Sequence, residues 1–242
     1  MCARYRLLRY QMIRAMFEAV RAVAFEEFSE TKVKWWNICP SNQVPVVRLD
    51  DAGQREIVKM QWGFVPSWAK EAPKIRPFNA KAETVATSGM FRQAFASRRC
   101  LIPADGFYEW QGITPPRKPH FIHRNDDELF AFAGIWERWR EADTFAMLTT
   151  TPNELMAPIH NRMPVVVEPK DYGRWLDPET PAEMLAEVMN PWLPATMEAY
   201  AVGTAVNSPA NDGPNLITPS SALPEGSGGL FGAEPTQQIS QI

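Results

Sequence analysis

The sequence contains few of the residues that bind metals or form disulfide bonds. It has only three cysteines (Cys2, Cys39 and Cys100) and three histidines in 242 residues. The cysteine count is odd and the spacing is not that of a metal site, so neither a disulfide framework nor a structural metal centre is expected. This usage favours a reducing, cytoplasmic setting and a protein without a metal or another cofactor.

Long apolar runs and an excess of positive charge are also missing. No apolar run reaches the roughly 18 residues that span a bilayer, so no membrane-spanning helix is expected. The amino terminus lacks the charged, apolar and small-residue regions of an export signal. The net charge of −3 excludes a uniformly basic surface for nucleic acids but not a local basic groove.

One stretch of the chain is nevertheless basic. From Ser67 to Arg99 there are seven lysines and arginines against two glutamates, a local charge of +5. Such a stretch is typical of a cleft that follows phosphates, or of charges scattered over a solvated face. Aromatic residues of the segment Trp62–Trp68 lie beside it. They are either stacking surfaces for unstacked bases or ordinary core residues.

Short predicted elements follow one another along the chain. Strands are predicted at Val44–Leu49 and Glu56–Trp62, around a turn at Asp50–Gly53. The spacing of apolar residues predicts helices over Tyr10–Phe28 and Glu83–Ala94. More short strands are predicted between residues 100 and 202.

This order of elements favours one α+β domain. A strongly bent, barrel-like and mainly antiparallel sheet flanked by short helices is expected over residues 1–219. Residues 220–242 are rich in Ser, Gly and Gln, and we expect them to form a disordered tail because they cannot bury enough apolar area.

Cys2 is a candidate nucleophile. Because a small residue after Met1 normally permits removal of the methionine, the mature chain is expected to begin with Cys2. Such a residue carries an amine and a thiol whose unperturbed pKa values are about 7.7–8.0 and about 8.5. The pair can act as an N-terminal nucleophile, or condense with an aldehyde to an imine and then a thiazolidine. The alternative is that cysteine stands at position 2 by chance.

Three further polar residues are candidates for a site. His160 lies in a proline-bounded loop, where an imidazole can move protons at neutral pH. Glu109 lies between aromatic residues that would desolvate its carboxylate for acid–base work, unless it is an exposed strand residue. Asn79 can hydrogen-bond a sugar hydroxyl or an imine nitrogen, or else caps the next helix.

Six short motifs resemble, in their order, those of the SOS-response-associated peptidase (SRAP) family of abasic-site processing proteins. They are MCARY at Met1–Tyr5, WNICP at Trp36–Pro40, WGFVPSW at Trp62–Trp68, NAKAET at Asn79–Thr84, RCLIPADGFYEW at Arg99–Trp110 and HNRMP at His160–Pro164. Each motif alone is unspecific, whereas six in the same order are highly specific. The resemblance covers residues 1–219 and implies an SRAP-like fold.

The resemblance also implies a function. It implies that the protein binds single-stranded DNA and that Cys2 captures the ring-opened aldehyde of an abasic site as a thiazolidine cross-link, which protects the lesion during the response to DNA damage. It places the protein in the cytoplasm, at the nucleoid, without a metal or a membrane. The implied catalytic residues are Cys2, Asn79, Glu109 and His160. The implied DNA contacts are Arg4, Asn37, Trp68, Lys81 and Arg162.

Two positions depart from the family pattern, and two other functions stay open. Ala3 replaces the usual glycine, and Lys81 stands where arginine is common, which exchanges a bidentate phosphate contact for a point charge. One alternative is a cysteine peptidase with an N-terminal nucleophile that acts on other proteins or only on its own Met1. The other is a non-catalytic module that binds single strands.

Overall fold

The computed structural model describes residues 3–19, 21–22, 35–71 and 73–222. Cys2, the candidate nucleophile, therefore lies outside the described residues, as does most of the predicted tail, residues 223–242. Across the described ranges, no helix combines the length and the apolar character that crossing a membrane requires.

Short strands make up most of the regular structure. Within the described residues they are β1 (Arg4–Arg6), β2 (Arg21–Ala22), β3 (Gln43–Leu49), β4 (Arg55–Trp62), β5 (Asn79–Lys81), β6 (Arg99–Ala104), β7 (Gly106–Gln111), β8 (Lys118–Arg124), β9 (Phe130–Trp139), β10 (Ala142–Thr150), β11 (Met163–Pro164), β12 (Val166–Val167) and β13 (Met197–Ala201). The helices are α1 (Tyr10–Met16), α2 (Ala82–Val85), α3 (Arg92–Ser97), α4 (Tyr172–Leu176) and α5 (Ala182–Val188). Single turns of 3₁₀ helix lie at Pro169–Asp171, Pro194–Thr196, Thr204–Asn207, Pro214–Ile217 and Ser220–Ala222.

The larger sheet closes on itself as a five-stranded barrel. Its strands pair in the order β10, β4, β3, β6 and β9, and β9 pairs back onto β10. The β10–β4 pair is parallel, and the other pairs around the barrel are antiparallel. The expected α+β fold with a barrel-like, mainly antiparallel sheet is thus confirmed.

A second, four-stranded sheet places the start of the chain. Its order is β1, β7, β8 and β13, with Arg4 opposite Tyr108 and Arg6 opposite Gly106. Gly106 is needed here, since a Cβ atom built on it would lie 2.2 Å from the Phe121 ring. Close approach of β7 to β8 therefore depends on this glycine.

Tyr5 joins β1 to the barrel core. Its ring is fully buried and meets Trp62 and Phe132 edge-on, with centroids 5.4 and 5.9 Å apart. Its backbone exchanges two hydrogen bonds with Ile38. Burial of one such side chain contributes about 2–3 kcal/mol, so β1 is firmly held although it has only three residues.

The predicted hairpin between residues 44 and 62 is confirmed. The strands β3 and β4 pair antiparallel over the whole length of β3, from Gln43 opposite Gln61 to Leu49 opposite Arg55. The carboxylate of Asp50 accepts hydrogen bonds from the backbone of Ala52 and Gln54, both at 2.9 Å, and Gly53 has the positive φ of +72° that the turn requires.

Both predicted helices are shorter than expected. The first ends at Met16, and Glu18, with a φ of +51°, turns the backbone away from the helix. The predicted second helix, Glu83–Ala94, is instead split into α2 and α3. The residues between them include Thr87, Ser88 and Gly89, which have low helix propensity.

Candidate functional site

A groove opens where β1 and β7 lie side by side. It has a volume of about 440 Å³, and Ala3, Arg4, Glu109 and Trp110 line it together with Arg117 and Asn207. We call Ala3, Arg4, Glu109 and Trp110 the N-terminal cluster. Antiparallel pairing brings these residues together, because the register that sets Arg4 against Tyr108 sets Ala3 beside Glu109.

Three neutral oxygens are among the acceptors of the Arg4 guanidinium. Its Nη1 donates to Oδ1 of Asn37 at 2.8 Å and to the carbonyl oxygen of Val206 at 2.7 Å, and its Nη2 donates to the carbonyl oxygen of Asn207 at 3.2 Å. The guanidinium also lies 6.0 Å from the ring centroid of Trp110. These contacts tie the start of the chain to a segment near its end.

Asn37 lies beneath Arg4 and is fully buried. Its amide nitrogen donates to the carbonyl oxygens of Ser208 at 3.0 Å and Asn211 at 3.1 Å. The segment 204–212, which we call the strap, is therefore fastened across β1 by Asn37 and Arg4. The amide of Asn37 is used within the protein, and a DNA contact by this residue stays a prediction.

Glu109 is the buried carboxylate of the groove, with only 2% of its surface exposed. Its Oε1 accepts a hydrogen bond from the backbone nitrogen of Trp110 at 3.1 Å, and the indole nitrogen of Trp110 donates to Oδ1 of Asn207 at 2.7 Å. Glutamate is rarely buried to this degree unless it is paired. The structure thus excludes an exposed strand position for Glu109, and its acid–base role stays a prediction.

A second group of polar residues surrounds β10. We call Asn79, Lys81, Glu83, His160 and Arg162 the His160 cluster. Strand β5 runs parallel to β10 and places the half-buried Asn79 and the exposed Lys81 on the same side of the strand, opposite the buried Ala80.

The residue before Asn79 is anchored on both sides. The carbonyl oxygen of Phe78 accepts hydrogen bonds from the indole of Trp62 at 2.8 Å and from the backbone of Met147 at 3.0 Å. The position of Asn79 is therefore set by the barrel and not by a flexible loop. Asn79 belongs to β5 and is not the N-terminal cap of α2, which is Lys81.

His160 follows a compact turn that is closed by Asn153. The side-chain oxygen of Asn153 accepts from the backbone of Met156 at 2.9 Å. The backbone nitrogen of Arg162 donates to Nδ1 of His160 at 3.0 Å, while the carbonyl oxygen of Arg162 lies 3.2 Å from the same atom. An N–H group only donates, so we assign the lone pair to Nδ1, and the proton of the neutral ring then sits on Nε2.

Arg162 is paired with a carboxylate. Its guanidinium donates to Glu83 through Nη1 at 2.5 Å and Nη2 at 2.8 Å, and Nη2 also donates to the carbonyl oxygen of Thr149. Its side chain is 14% exposed. The guanidinium hydrogen bonds hold the pKa of Glu83 below its ordinary value. The sequence motif contained Glu83, but nothing in its local spacing indicated this partner.

A hydrogen bond joins the elements that carry the two clusters. The side-chain amide of Gln111, two residues after Glu109 on β7, donates to the carbonyl oxygen of Pro158 at 3.1 Å, two residues before His160. The structure thus brings the end of β7 against the turn that precedes His160. Cys2 is outside the described residues, so its position relative to Asn79, Glu109 and His160 stays a prediction.

The predicted basic stretch is divided by the fold. Arg99 is buried and donates to backbone carbonyl oxygens, among them that of Trp175 at 2.7 Å, and Arg98 forms an ion pair with Glu137 at 2.8 Å. Neither arginine is part of an open basic cleft, so the local charge of +5 counted over Ser67–Arg99 overstates the positive charge that this stretch presents to solvent. Lys70, Lys74, Lys81 and Arg92 remain exposed.

The segment Trp62–Trp68 is mostly core. Trp62, Phe64 and Val65 are fully buried, whereas Trp68 is 62% exposed. Within the segment, Trp68 is therefore the aromatic residue available for stacking, as expected. Sequence reasoning missed Arg117, which lines the groove from the loop after β7 and is exposed. Its only signal was a basic and proline-rich run, Pro115–Pro119.

The other two cysteines are not suited to act as nucleophiles. Cys39 and Cys100 are both buried free thiols, and burial raises the pKa of the Cys100 thiol far above its ordinary value. In the described part of the chain no group of three or more His, Cys, Asp or Glu side chains is arranged to hold a metal ion.

Comparisons with known proteins agree on one family. A family model described as SOS response associated peptidase (SRAP) matches residues 1–209. The abasic site processing protein YoqW of Bacillus subtilis is 40% identical over 190 residues, which cover 75% of this chain and 84% of YoqW. The abasic site processing protein YedK of Escherichia coli is 30% identical over 190 residues, which cover 76% of this chain and 84% of YedK.

Solved structures show the same fold. A protein from Bacteroides thetaiotaomicron matches with a TM-score of 0.79 and 24% identity, covering 90% of this chain and 100% of that chain. A protein from Bordetella bronchiseptica matches with a TM-score of 0.70 and 27% identity, covering 83% of this chain and 99% of that chain.

Proposed function

This chain belongs to the SOS response associated peptidase family, and we propose that it processes abasic sites in single-stranded DNA by forming a covalent cross-link through Cys2. The proposal extends to this chain what the names of YoqW and YedK say of those proteins. Its product is a DNA–protein cross-link that shields the lesion from strand cleavage.

One observation carries the proposal. Ala3, the residue directly after Cys2, lines the same groove as the buried carboxylate of Glu109. The strand that begins at Arg4 is fixed there by Tyr5 in the core and by Asn37. The cationic Arg4 lies in this groove, which suits a phosphodiester strand better than a peptide.

The chemistry balances without an oxidant or a metal. After hydrolytic removal of Met1, the amine of Cys2 adds to the C1′ aldehyde of the opened sugar. The resulting carbinolamine loses water and becomes an imine. The thiolate of Cys2 then adds to the imine carbon while the nitrogen takes up a proton, so that aldehyde and aminothiol give a thiazolidine and one water.

The described residues supply proton transfer and orientation. When the ring of His160 carries a proton on both nitrogens, the carbonyl oxygen of Arg162 accepts from Nδ1 and His160 donates the Nε2 proton during opening of the sugar and formation of the imine, which leaves a neutral imidazole. Glu109 holds the amine and accepts its proton. Asn79, fixed by its anchored neighbour Phe78, hydrogen-bonds the opened sugar.

The strand is held through its phosphates and one aromatic contact. Lys81 and Arg162 contact phosphates on the side of the His160 cluster, Arg4 does so in the groove, and the exposed Trp68 stacks on a nucleotide. Phosphate contacts carry no base specificity, so binding is expected to depend on salt more than on sequence.

The test is incubation with single-stranded oligonucleotides that carry or lack an abasic site. Wild-type protein is expected to give an adduct that resists denaturation only with the lesion, and Cys2→Ala is expected to bind DNA without giving an adduct. Intact mass must show that the reactive protein starts at Cys2. An adduct with Cys2→Ala, or active protein that retains Met1, would contradict the proposal.

The same assay separates the two alternatives. A band shift without any covalent species would identify a binding module. Cleavage of unrelated polypeptides, with no adduct on the lesion, would identify an N-terminal-nucleophile peptidase that acts on proteins.

A further inference from the structure

A second cavity continues from the groove of the N-terminal cluster. It has a volume of about 480 Å³, and it shares Pro116, Arg117 and Thr204 with the groove. Its remaining lining includes the buried side chains of Pro119 and Val202 and the exposed Asn215. We call it the flanking cavity.

The flanking cavity is apolar inside and polar at its edge. Pro116, Pro119 and Val202 form apolar walls, while Thr204 and Asn215 offer a hydroxyl and an amide. None of the described residues that line it is acidic. Apolar walls with few polar groups are typical of pockets for small ligands.

Arg117 stands at the junction of the cavity and the groove. Its side chain is exposed, and it makes no hydrogen bond or ion pair with any residue that the structure describes. Arg162, in contrast, is bound to Glu83. Arg117 is therefore a charged group at the groove whose donors remain available to an anion, and Lys118 lies next to it.

We propose that the flanking cavity binds the nucleotide next to the lesion, with its base between Pro116, Pro119 and Val202 and its phosphate on Arg117. This inference rests on the proposed function and names a subsite of the same groove. A nucleotide fits because it joins the flat apolar faces of a base to an anionic phosphate, which matches apolar walls beside a free guanidinium. A neutral or basic peptide would leave Arg117 without an anionic partner, and an acidic peptide would bring no flat ring system for the apolar walls.

The first test measures the phosphate contact. The probe is a short oligonucleotide with tetrahydrofuran in place of the lesion, which cannot form an aldehyde, so that only non-covalent binding is measured. Arg117→Glu is expected to lower the affinity about tenfold and to reduce the salt slope by about one. Lys170→Glu is the matched control, since Lys170 is exposed, pairs with Glu168 and lines neither cavity.

The second test measures the base contact. A further tetrahydrofuran residue replaces the nucleotide on one side or the other of the first. For wild-type protein, removing the base on one side of the lesion is expected to lower the affinity about tenfold, as the loss of a stacked base does, whereas removing the base on the other side has little effect. Asn215→Trp places a large ring at the edge of the cavity and is expected to abolish this dependence while leaving the contribution of Arg117.

Equal affinities of Arg117→Glu and Lys170→Glu would overturn the proposal. So would a wild-type affinity that does not depend on either flanking base, or an Asn215→Trp variant that keeps the full dependence. Adduct formation by wild-type protein is measured in parallel with a natural abasic site. If wild-type protein forms no adduct, the proposed function is contradicted. If it forms the adduct but Arg117→Glu binds DNA as tightly as wild type, only the flanking site is contradicted.

Discussion

The N-terminal cluster and the His160 cluster each hold an arginine, but with different acceptors. The guanidinium of Arg4 donates to an amide oxygen and two backbone carbonyls, whereas that of Arg162 is bidentate on the carboxylate of Glu83. Neutral acceptors do not reduce the charge of an arginine, while a carboxylate largely cancels it. An arginine at a motif position thus does not by itself determine how much positive charge a site presents.

The two clusters also differ in how they are built. The N-terminal cluster depends on contacts between residues almost a chain length apart, such as Arg4 and Val206. The His160 cluster is gathered around β10, to which β5 and β11 pair directly. Substitutions that loosen the strap should therefore disturb the N-terminal cluster, and substitutions in the Arg162–Glu83 ion pair should disturb the His160 cluster.

The largest expected effects come from removing one proton-transfer group in each cluster. Glu109→Gln and His160→Gln keep similar shapes but cannot exchange protons in the same way. Each is expected to slow adduct formation about 10²–10⁴-fold with little change in the affinity for DNA. Single-turnover kinetics with a lesion-containing oligonucleotide measure the rate.

The double variant tests whether the two clusters serve one reaction. If Glu109 and His160 act on the same step, the double variant should be slower than either single variant by much less than the product of their effects. A normal rate in either single variant would assign the chemistry to one cluster alone.

The next effect concerns stability and the strap. Asn37→Ala removes the donor to the carbonyl oxygens of Ser208 and Asn211 and an acceptor of Arg4, so it is expected to destabilise the fold by about 3 kcal/mol. Urea unfolding measures this loss. The control is Asn125→Ala, since the exposed Asn125 likewise donates to a backbone carbonyl, and a loss below about 1 kcal/mol is expected. Equal losses would show that the strap does not depend on Asn37.

The smallest expected effect tests whether Glu83 reduces the positive charge that Arg162 presents, compared with Arg4. Glu83→Gln frees Arg162 for phosphate, so the affinity for single-stranded DNA is expected to rise about threefold, with a steeper salt dependence. Fluorescence anisotropy at two salt concentrations measures it, and the exposed Glu179→Gln is the control. Unchanged or weaker binding would mean that Glu83 positions Arg162 and does not compete with DNA.

The same variant has an expected pH dependence. Because Arg162 holds the pKa of Glu83 below its ordinary value, the carboxylate stays charged as the pH falls past the range where a free glutamate is protonated. The difference between wild type and Glu83→Gln should therefore persist at mildly acidic pH. It should vanish only when the pH falls through the lowered pKa of Glu83.

Local signals were sufficient for several elements of the fold. The hairpin of β3 and β4 followed from Asp50 and Gly53, whose turn chemistry acts within a few residues. The first predicted helix was too long because the apolar spacing continues past Met16. In the structure the backbone turns at Glu18, and the next described segment, β2, pairs with β4. Periodicity does not show where tertiary pairing ends a helix.

The site was only partly predictable for a similar reason. Motifs indicated Asn79, Glu109 and His160, and the burial of Glu109 could be expected from its aromatic neighbours. The partner of Arg162 lies 79 residues away, and no local pattern encodes such a pair. Arg117 was missed because its importance comes from two cavities that exist only in the folded chain.

The contact between Arg4 and Val206 has a consequence for protein synthesis. The two residues are 202 positions apart, and a ribosome that adds about 5–20 residues per second needs at least about 10 s to make that stretch. Throughout this interval the strap cannot close over β1. Enzymes that trim nascent chains are therefore expected to reach Met1 before translation is finished, while the strap has not yet covered β1.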